Sequence, residues 1–288
     1  MQAGLDRLKA TLAGCAAILL WAFLALLTRA ASVLPPLELS ALAFTVSAVF
    51  GLGVVAARGQ LHLLRLKPAA WAHGVIGLAG YQMLYFAAFG LAPAAQVNLI
   101  NYCWPLLIVL FAAPVLGTRL GWRHFAGALL GAGGCLLLLL GKQGGEAAGP
   151  LAWLGYALAF AAAVTWALYS VLSRRMEAVP TAAVAGFCAA SAVVTAIAHF
   201  AFEPNIWPDH ATLLAVVVMG LGPVGGAFFL WDVGMKRGNP VLLGTLAYAT
   251  PVLSTLLLCV GGFAPFSVTL AVSAALVAIG GVVASRSP

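Results

Sequence analysis

The sequence predicts an all-α polytopic membrane protein in which ten transmembrane helices form two inverted five-helix repeats around a central cavity. Three observations lead there: the scarcity of charge, the side on which the few basic residues fall, and a self-similarity with a period near 145 residues. Of 288 residues, 64% are hydrophobic and 7% charged, against about 25% charged in a soluble domain. So little polar surface cannot cover a water-soluble fold, whereas lipid accepts an apolar exterior. The 32 glycines and 15 prolines fit membrane helices, where neighbouring helices satisfy freed backbone groups.

A crossing helix needs roughly 20 apolar residues. Such runs, bounded by Pro, Gly and charge, occur at 10–31, 37–57, 69–89, 94–116, 123–141, 150–172, 181–201, 211–234, 240–260 and 266–284. The loops between them are short, the longest being RGQLHLLRLKP after the second run, so no soluble domain remains for nucleotide hydrolysis or signalling. Leu12-Ala13-Gly14-Cys15 resembles the cleavage box of a bacterial lipoprotein. In a signal peptide, however, the apolar region precedes the cleavage site; here it follows, and the stretch reads as a retained first helix. GKQGG around Lys142 lacks the spacing of a phosphate-binding loop.

The basic residues fix both count and orientation. With the amino terminus inside, Arg7, Lys9, Arg58, Arg65, Lys67, Arg119, Arg123, Arg174, Arg175, Lys236, Arg237 and Arg286 all fall on the inner side, and only Arg29 and Lys142 fall outside. This is the positive-inside pattern, and adding or removing one crossing would scramble it. Glu38, Glu146, Glu203 and Asp209 fall outside. Both termini are therefore expected in the cytoplasm of a bacterial inner membrane. Lys and Arg in short clusters between apolar runs do not make a nucleic-acid footprint, which needs one continuous basic face. Cys15, Cys103, Cys135, Cys188 and Cys259 lie singly inside apolar runs, so neither disulfides, a metal site nor any cofactor is indicated.

Shifting the chain by 146 residues lays GYQMLYFAAFGLAPAAQVNLINYCWP over GAFFLWDVGMKRGNPVLLGTLAYATP, pairing Gly80 with Gly226, Leu84 with Leu230, Tyr85 with Trp231, Tyr102 with Tyr248 and Pro105 with Pro251. A shift of 145 lays WAFLALLTRA from Trp21 over WALYSVLSRR from Trp166. The halves are 1–145 and 146–288. Because each holds five crossings, an odd number, the second copy enters the membrane from the opposite side. That makes an inverted repeat, whose two near-equivalent packings are the basis of alternating access.

With its two five-helix halves and the segments NYCWPLLIVLFAAPVLGTRL and YATPVLSTLLL, the chain resembles the EamA-type branch of the drug/metabolite transporter superfamily along essentially its whole length. The Trp-bearing first helix of each half and the aromatic third and fourth helices are most similar to the bacterial aromatic amino acid exporters of the YddG type. The resemblance implies export of small metabolites, chiefly amino acids, through a cavity surrounded by helices three, four, eight and nine with one and six.

Polar and aromatic residues deep in the spans are the informative ones, because hydrocarbon penalises them unless they line a wet cavity or find partners. His73, Tyr81 and Tyr85 recur at helical spacing in the third span, and Asn98, Asn101 and Trp104 in the fourth; Trp166 and Tyr169 lie in the sixth, and Thr245, Tyr248 and Thr250 in the ninth. Read as a cage, Tyr81, Tyr85, Trp104, Trp166 and Tyr169 contact an apolar or aromatic side chain, while Asn98, Asn101 and Tyr248 meet its zwitterionic end. The alternative for each is interhelical packing. Trp71, Trp122, Trp153 and Trp207, near span ends, read as an interfacial belt. Pro105 and Pro251 occupy equivalent positions and should kink their helices, as gates or as fixed bends. The glycine-rich runs GALLGAGG and GLGPVGG fit close helix packing. The fifth and tenth helices fit peripheral or dimer-facing positions.

Proton- or sodium-coupled carriers usually carry a midplane Asp, Glu or His relay. None is evident, and Asp232 four residues before Lys236 reads as an interfacial ion pair. A facilitative exporter of aromatic and other apolar amino acids is the expectation. Alternatives on the same scaffold are a purine, threonine-like or drug cargo, or a channel; a phosphorylated cargo would need buried basic residues, and an enzyme an acid–base or nucleophile constellation.

Overall fold

The computed structural model describes residues 2–140, 149–263 and 265–286; Lys142 and Glu146 lie outside them. Among the described residues the regular elements are helical. In chain order they are α1 (Gln2–Ala22), α2 (Leu24–Ala30), α3 (Pro36–Ala57), α4 (Pro68–Val75), α5 (Tyr81–Phe89), α6 (Ala94–Asn101), α7 (Trp104–Leu116), α8 (Trp122–Leu140), α9 (Ala152–Arg175), α10 (Ala183–Phe202), α11 (His210–Leu221), α12 (Ala227–Arg237), α13 (Pro240–Leu246), α14 (Ala249–Val260) and α15 (Val268–Ser285). Two π-helical turns, Ile76–Gly80 and Gly222–Gly226, join α4 to α5 and α11 to α12. Among the described residues seven stretches are long and apolar enough to cross a membrane: Gln2–Ala30, Pro36–Ala57, Gln96–Leu116, Ala152–Arg175, Ala183–Phe202, His210–Arg237 and Pro240–Val260; Val268–Ala284 is a shorter apolar helix.

Several spans that read as continuous helix are interrupted. Both π turns fall in glycine-rich stretches, one of which contains Pro223, where backbone bonds can shift register cheaply. The fourth span breaks at Tyr102–Cys103, with Tyr102 N donating to Asn98 O at 2.9 Å and Cys103 N to Ile100 O at 3.0 Å. The ninth breaks at Ala247–Tyr248. Pro105 and Pro251 each follow one of these interruptions by a few residues, within the first turn of α7 and of α14, where a proline removes a backbone donor and crowds the preceding turn.

In the bundle α3 packs on α10, α8 on α15, α1 on α12, and α9 on both α5 and α7. Large apolar side chains such as Val49, Phe50, Ile197 and Phe200 point outward, as lipid contact requires. Trp122, Trp153 and Trp207 are exposed near helix ends. Trp71 departs from that belt: its ring covers Gly186 and meets Phe187 edge-on at 5.6 Å.

Two polar clusters close the ends of the bundle. At one end the Glu203 carboxylate accepts from the backbone N–H of Leu37 at 3.0 Å and of Glu38 at 3.1 Å, capping α3. Glu38 returns the favour across the gap by accepting from Ile206 N at 3.1 Å. His199 stands between them, with Nδ1 3.1 Å from Glu203 and Nε2 3.9 Å from Glu38. Nearby, Asp209 caps α11 by accepting from Thr212 N at 2.8 Å, and that bond holds its carboxyl below the usual carboxylate range. At the other end Asp232 and Lys236 form the ion pair their spacing suggested, at 2.8 Å. It does not face solvent, however. The two side chains are only 3% and 5% exposed, because α12 is wedged between α1 and α9. Thr181 Oγ donates to Asp232 at 2.7 Å and Lys236 Nζ to Val179 O at 2.8 Å, supplying the partners that buried charges need.

Candidate functional site

Four helices each place one tryptophan at a common point. Trp21 comes from the end of α1, Trp104 from the first residue of α7 just after the helix interruption at Tyr102–Cys103, Trp166 from the middle of α9 and Trp231 from α12. Trp21 lies 5.0 Å from Trp231, 5.6 Å from Trp166 and 6.3 Å from Trp104, centroid to centroid. Trp104 meets Trp166 at 6.3 Å and Trp231 at 6.1 Å, both nearly perpendicular. These are the edge-to-face geometries that the ring quadrupole favours. Phe228 completes the group, 5.8 Å from Trp166. Two indoles are fixed by hydrogen bonds: Trp21 Nε1 donates to Pro223 O in the second π turn, and Trp231 Nε1 to Ser170 Oγ, each at 3.0 Å.

A more polar wall adjoins the tryptophans. Tyr81 lies 5.3 Å from Trp166 and stacks on Tyr85 at 5.7 Å. The Tyr85 hydroxyl donates to Asn98 Oδ1, whose Nδ2 donates to Ala94 O at 3.0 Å. Asn101 Nδ2 donates to the Tyr81 hydroxyl at 3.1 Å, while its buried Oδ1 accepts from no described residue. Tyr169 stands on the far side of Trp166, 5.3 Å away, and stacks on His73 at 4.8 Å. Its ring lies directly over Gly77, where any Cβ would collide with it; the first π turn and a glycine together admit it. Ser173 Oγ donates to Tyr169 O at 2.8 Å, so the 3.1 Å contact with His73 Nε2 is a bond donated by the imidazole.

The structure thus brings together Tyr81, Tyr85, Asn98, Asn101, Trp104, Trp166 and Tyr169. Tyr248 lies elsewhere, packed over Gly131 in a separate cluster with Cys135, Val252 and Val277. Thr245 is buried and donates to Val241 O of its own helix at 3.2 Å. Trp21, Trp231 and Phe228 complete the cluster but do not stand out from composition or spacing. The signal for two of them lies in the repeat: Trp21 aligns with Trp166, and Trp231 with Tyr85.

A bundle of apolar helices, several long enough to cross a bilayer, with an aromatic cluster beside a buried amide, Asn101, defines a multi-pass membrane protein of the transporter class. The chain belongs to the EamA-like transporter family, whose model matches residues 8–140 and again 153–286. It is 50% identical over 282 residues to the aromatic amino acid exporter YddG of Ancylobacter novellus, covering 98% of each chain. The protein of the same name from Salmonella typhimurium is 28% identical, over 94% of this chain and 95% of that one. A solved crystal structure 50% identical in sequence superposes with a TM-score of 0.93 over 97% of both chains.

Proposed function

We propose that the protein exports aromatic and other apolar amino acids across a bacterial inner membrane by alternating access. In this reading ten helices in two inverted repeats, 1–145 and 146–288, surround the tryptophan cluster, and both termini are cytoplasmic. The observation that carries it is the convergence of four tryptophans from four helices beside a wall of Tyr81, Tyr85, Asn98 and Asn101. Rings complement an apolar side chain, and an unpaired buried carbonyl such as Asn101 Oδ1 complements an ammonium donor. The relatives named as aromatic amino acid exporters support the same cargo.

The repeat reading gains support from several places. The π turns begin at residues 76 and 222, and the mid-span breaks fall at 102–103 and 247–248, each pair about one repeat apart. Under exchange of the halves α3 maps onto α10 and α8 onto α15, and these equivalents pack on each other; α5 on α9 maps onto α12 on α1, and both contacts occur. A two-fold axis in the membrane plane requires this pattern. Sidedness is supported by Arg174 and Lys236 meeting at one end of the bundle and Glu38 and Glu203 at the other.

Transport is read as facilitative, because Glu38 and Asp232 are already matched within end clusters rather than aligned as a relay. Purified protein in liposomes, offered a panel of amino acids with and without a pH gradient, tests both points. Saturable uptake favouring phenylalanine and tryptophan, with little effect of the gradient, is the expected result. Strong stimulation by the gradient at every concentration would refute the facilitative reading, and non-saturable flux the carrier.

A further inference from the structure

The four helices that carry the tryptophans meet again at the Asp232–Lys236 end. There a cavity of about 550 Å³ is lined by Arg7 of α1, the end of α7 with Thr118, Arg174 and Arg175 of α9, and Asn239 just past α12. At 1.5 Å per residue, the tryptophans lie roughly 10 to 20 Å further along the same helices. The cavity is therefore coaxial with the cage, and the buried Asp232–Lys236 pair stands between them on α12.

Its walls are unusual for this chain. Three arginines line it, and none forms an ion pair among the described residues. Arg174 is anchored, donating to Lys236 O and, at 3.5 Å, to Gly238 O. No described hydrogen bond uses the side chains of Arg7 and Arg175, both exposed. Val115, Leu116 and Val241 add apolar surface to the lining. A volume in the range of small-molecule sites, guanidinium groups without counter-ions and apolar surface suit a molecule with one carboxylate and one apolar side chain.

We infer that this cavity is the cytoplasmic loading vestibule, where Arg7 and Arg175 capture the carboxylate of an amino acid before it passes the Asp232–Lys236 pair into the tryptophan cage. The inference rests on the transport reading above. Guanidinium groups at the mouth of a low-dielectric cleft concentrate carboxylates and bind them in forked pairs, so they act on loading from this face and not on the crossing itself.

The test uses inverted membrane vesicles, which present the cytoplasmic face, and the double variant Arg7→Gln/Arg175→Gln. KM for phenylalanine uptake should rise about three- to tenfold with kcat unchanged, as expected when solvent-facing charge contacts are lost. The KM of the unmodified protein should climb with salt and that of the variant should not. Inhibition by phenethylamine, which carries the ammonium but lacks the carboxylate, should not weaken in the variant. An unchanged KM and salt response alongside saturable wild-type uptake overturns the vestibule alone; no saturable uptake by the wild type overturns the transport reading and the vestibule with it. A KM shift that disappears when anionic phosphatidylglycerol is replaced by neutral lipid assigns the cavity to a headgroup and overturns the inference. Should the double variant fail to insert, Arg7→Gln alone gives the same comparison.

Discussion

Replacing Asp232 with asparagine tests whether the ion pair on α12 supports the bundle. Asparagine keeps the shape and can still accept from Thr181, which bonds Asp232 at 2.7 Å. What disappears is the charge facing Lys236, whose side chain is 5% exposed and keeps only Val179 O as a partner. A buried ammonium left unpaired costs about 3–5 kcal/mol, and at about 2–4 °C per kcal/mol for a chain of roughly this size the melting midpoint falls by about 6–20 °C. Lys236→Met should cost a similar amount by stranding the carboxylate. The double change to Leu at 232 and Met at 236 should recover most of the loss, since apolar replacements of buried pairs are near neutral. Thermal melting of the purified proteins in detergent reads all four. A midpoint within about 2 °C of wild type for Asp232→Asn, or a double variant as damaged as the two singles combined, would refute the reasoning.

Two further substitutions probe the tryptophan cluster and the opposite end of the bundle. Trp21→Phe removes the donor to Pro223 O and some ring volume at the centre of the cluster, and should cost about 1–3 kcal/mol in the same melt. Glu203→Gln removes the charge that caps α3 and pairs with His199; it should cost about 1–2 kcal/mol at neutral pH, measured by comparing melts at low and high salt.

The hydropathy pattern points to the seven stretches that are long and apolar enough to cross a membrane among the described residues, with bounds that differ by up to eight residues, because lipid demands long apolar runs and loops demand charge. It does not reveal where those runs break, since a π turn changes hydrogen-bond register without changing the apolar pattern. That is why His73 and Tyr81, eight residues apart, reach α9 from either side of a π turn rather than along one regular face. Nor does the pattern show that the helical bonding lapses at Ala247–Tyr248, where the Tyr248 ring packs over Gly131 of α8. The burial of Asp232 was equally hidden, because i,i+4 spacing shows that two side chains can meet but not what packs around them. Trp231 was legible only through alignment of the halves, since a tryptophan near a span end otherwise resembles the belt residues Trp153 and Trp207; Trp21, inside its span, drew attention only by aligning with Trp166.

The same alignment shows that the tryptophan cluster and its polar wall are not symmetric, with a consequence for how cargo would sit in the proposed cage. A shift of 146 carries Tyr81 onto Ala227, Asn98 onto Gly244, Asn101 onto Ala247 and Trp104 onto Thr250. Every amide of the cage therefore comes from the first half, and the facing positions of the second half carry small side chains beside Trp231 and Phe228. A zwitterion would be held by the first half and its ring by the tryptophans, so the two walls should fail differently. Asn101→Ala removes a group that every amino acid shares and should raise KM about tenfold for phenylalanine and leucine alike, the loss expected for a hydrogen bond to a charged group. Trp104→Ala removes ring contacts worth about 0.5–1.5 kcal/mol for each aromatic pair, and should penalise phenylalanine several-fold more than leucine. Uptake kinetics in liposomes for both substrates and both variants decide it: if Asn101→Ala discriminates between the substrates as strongly as Trp104→Ala, the two-wall account is wrong and both residues serve packing alone.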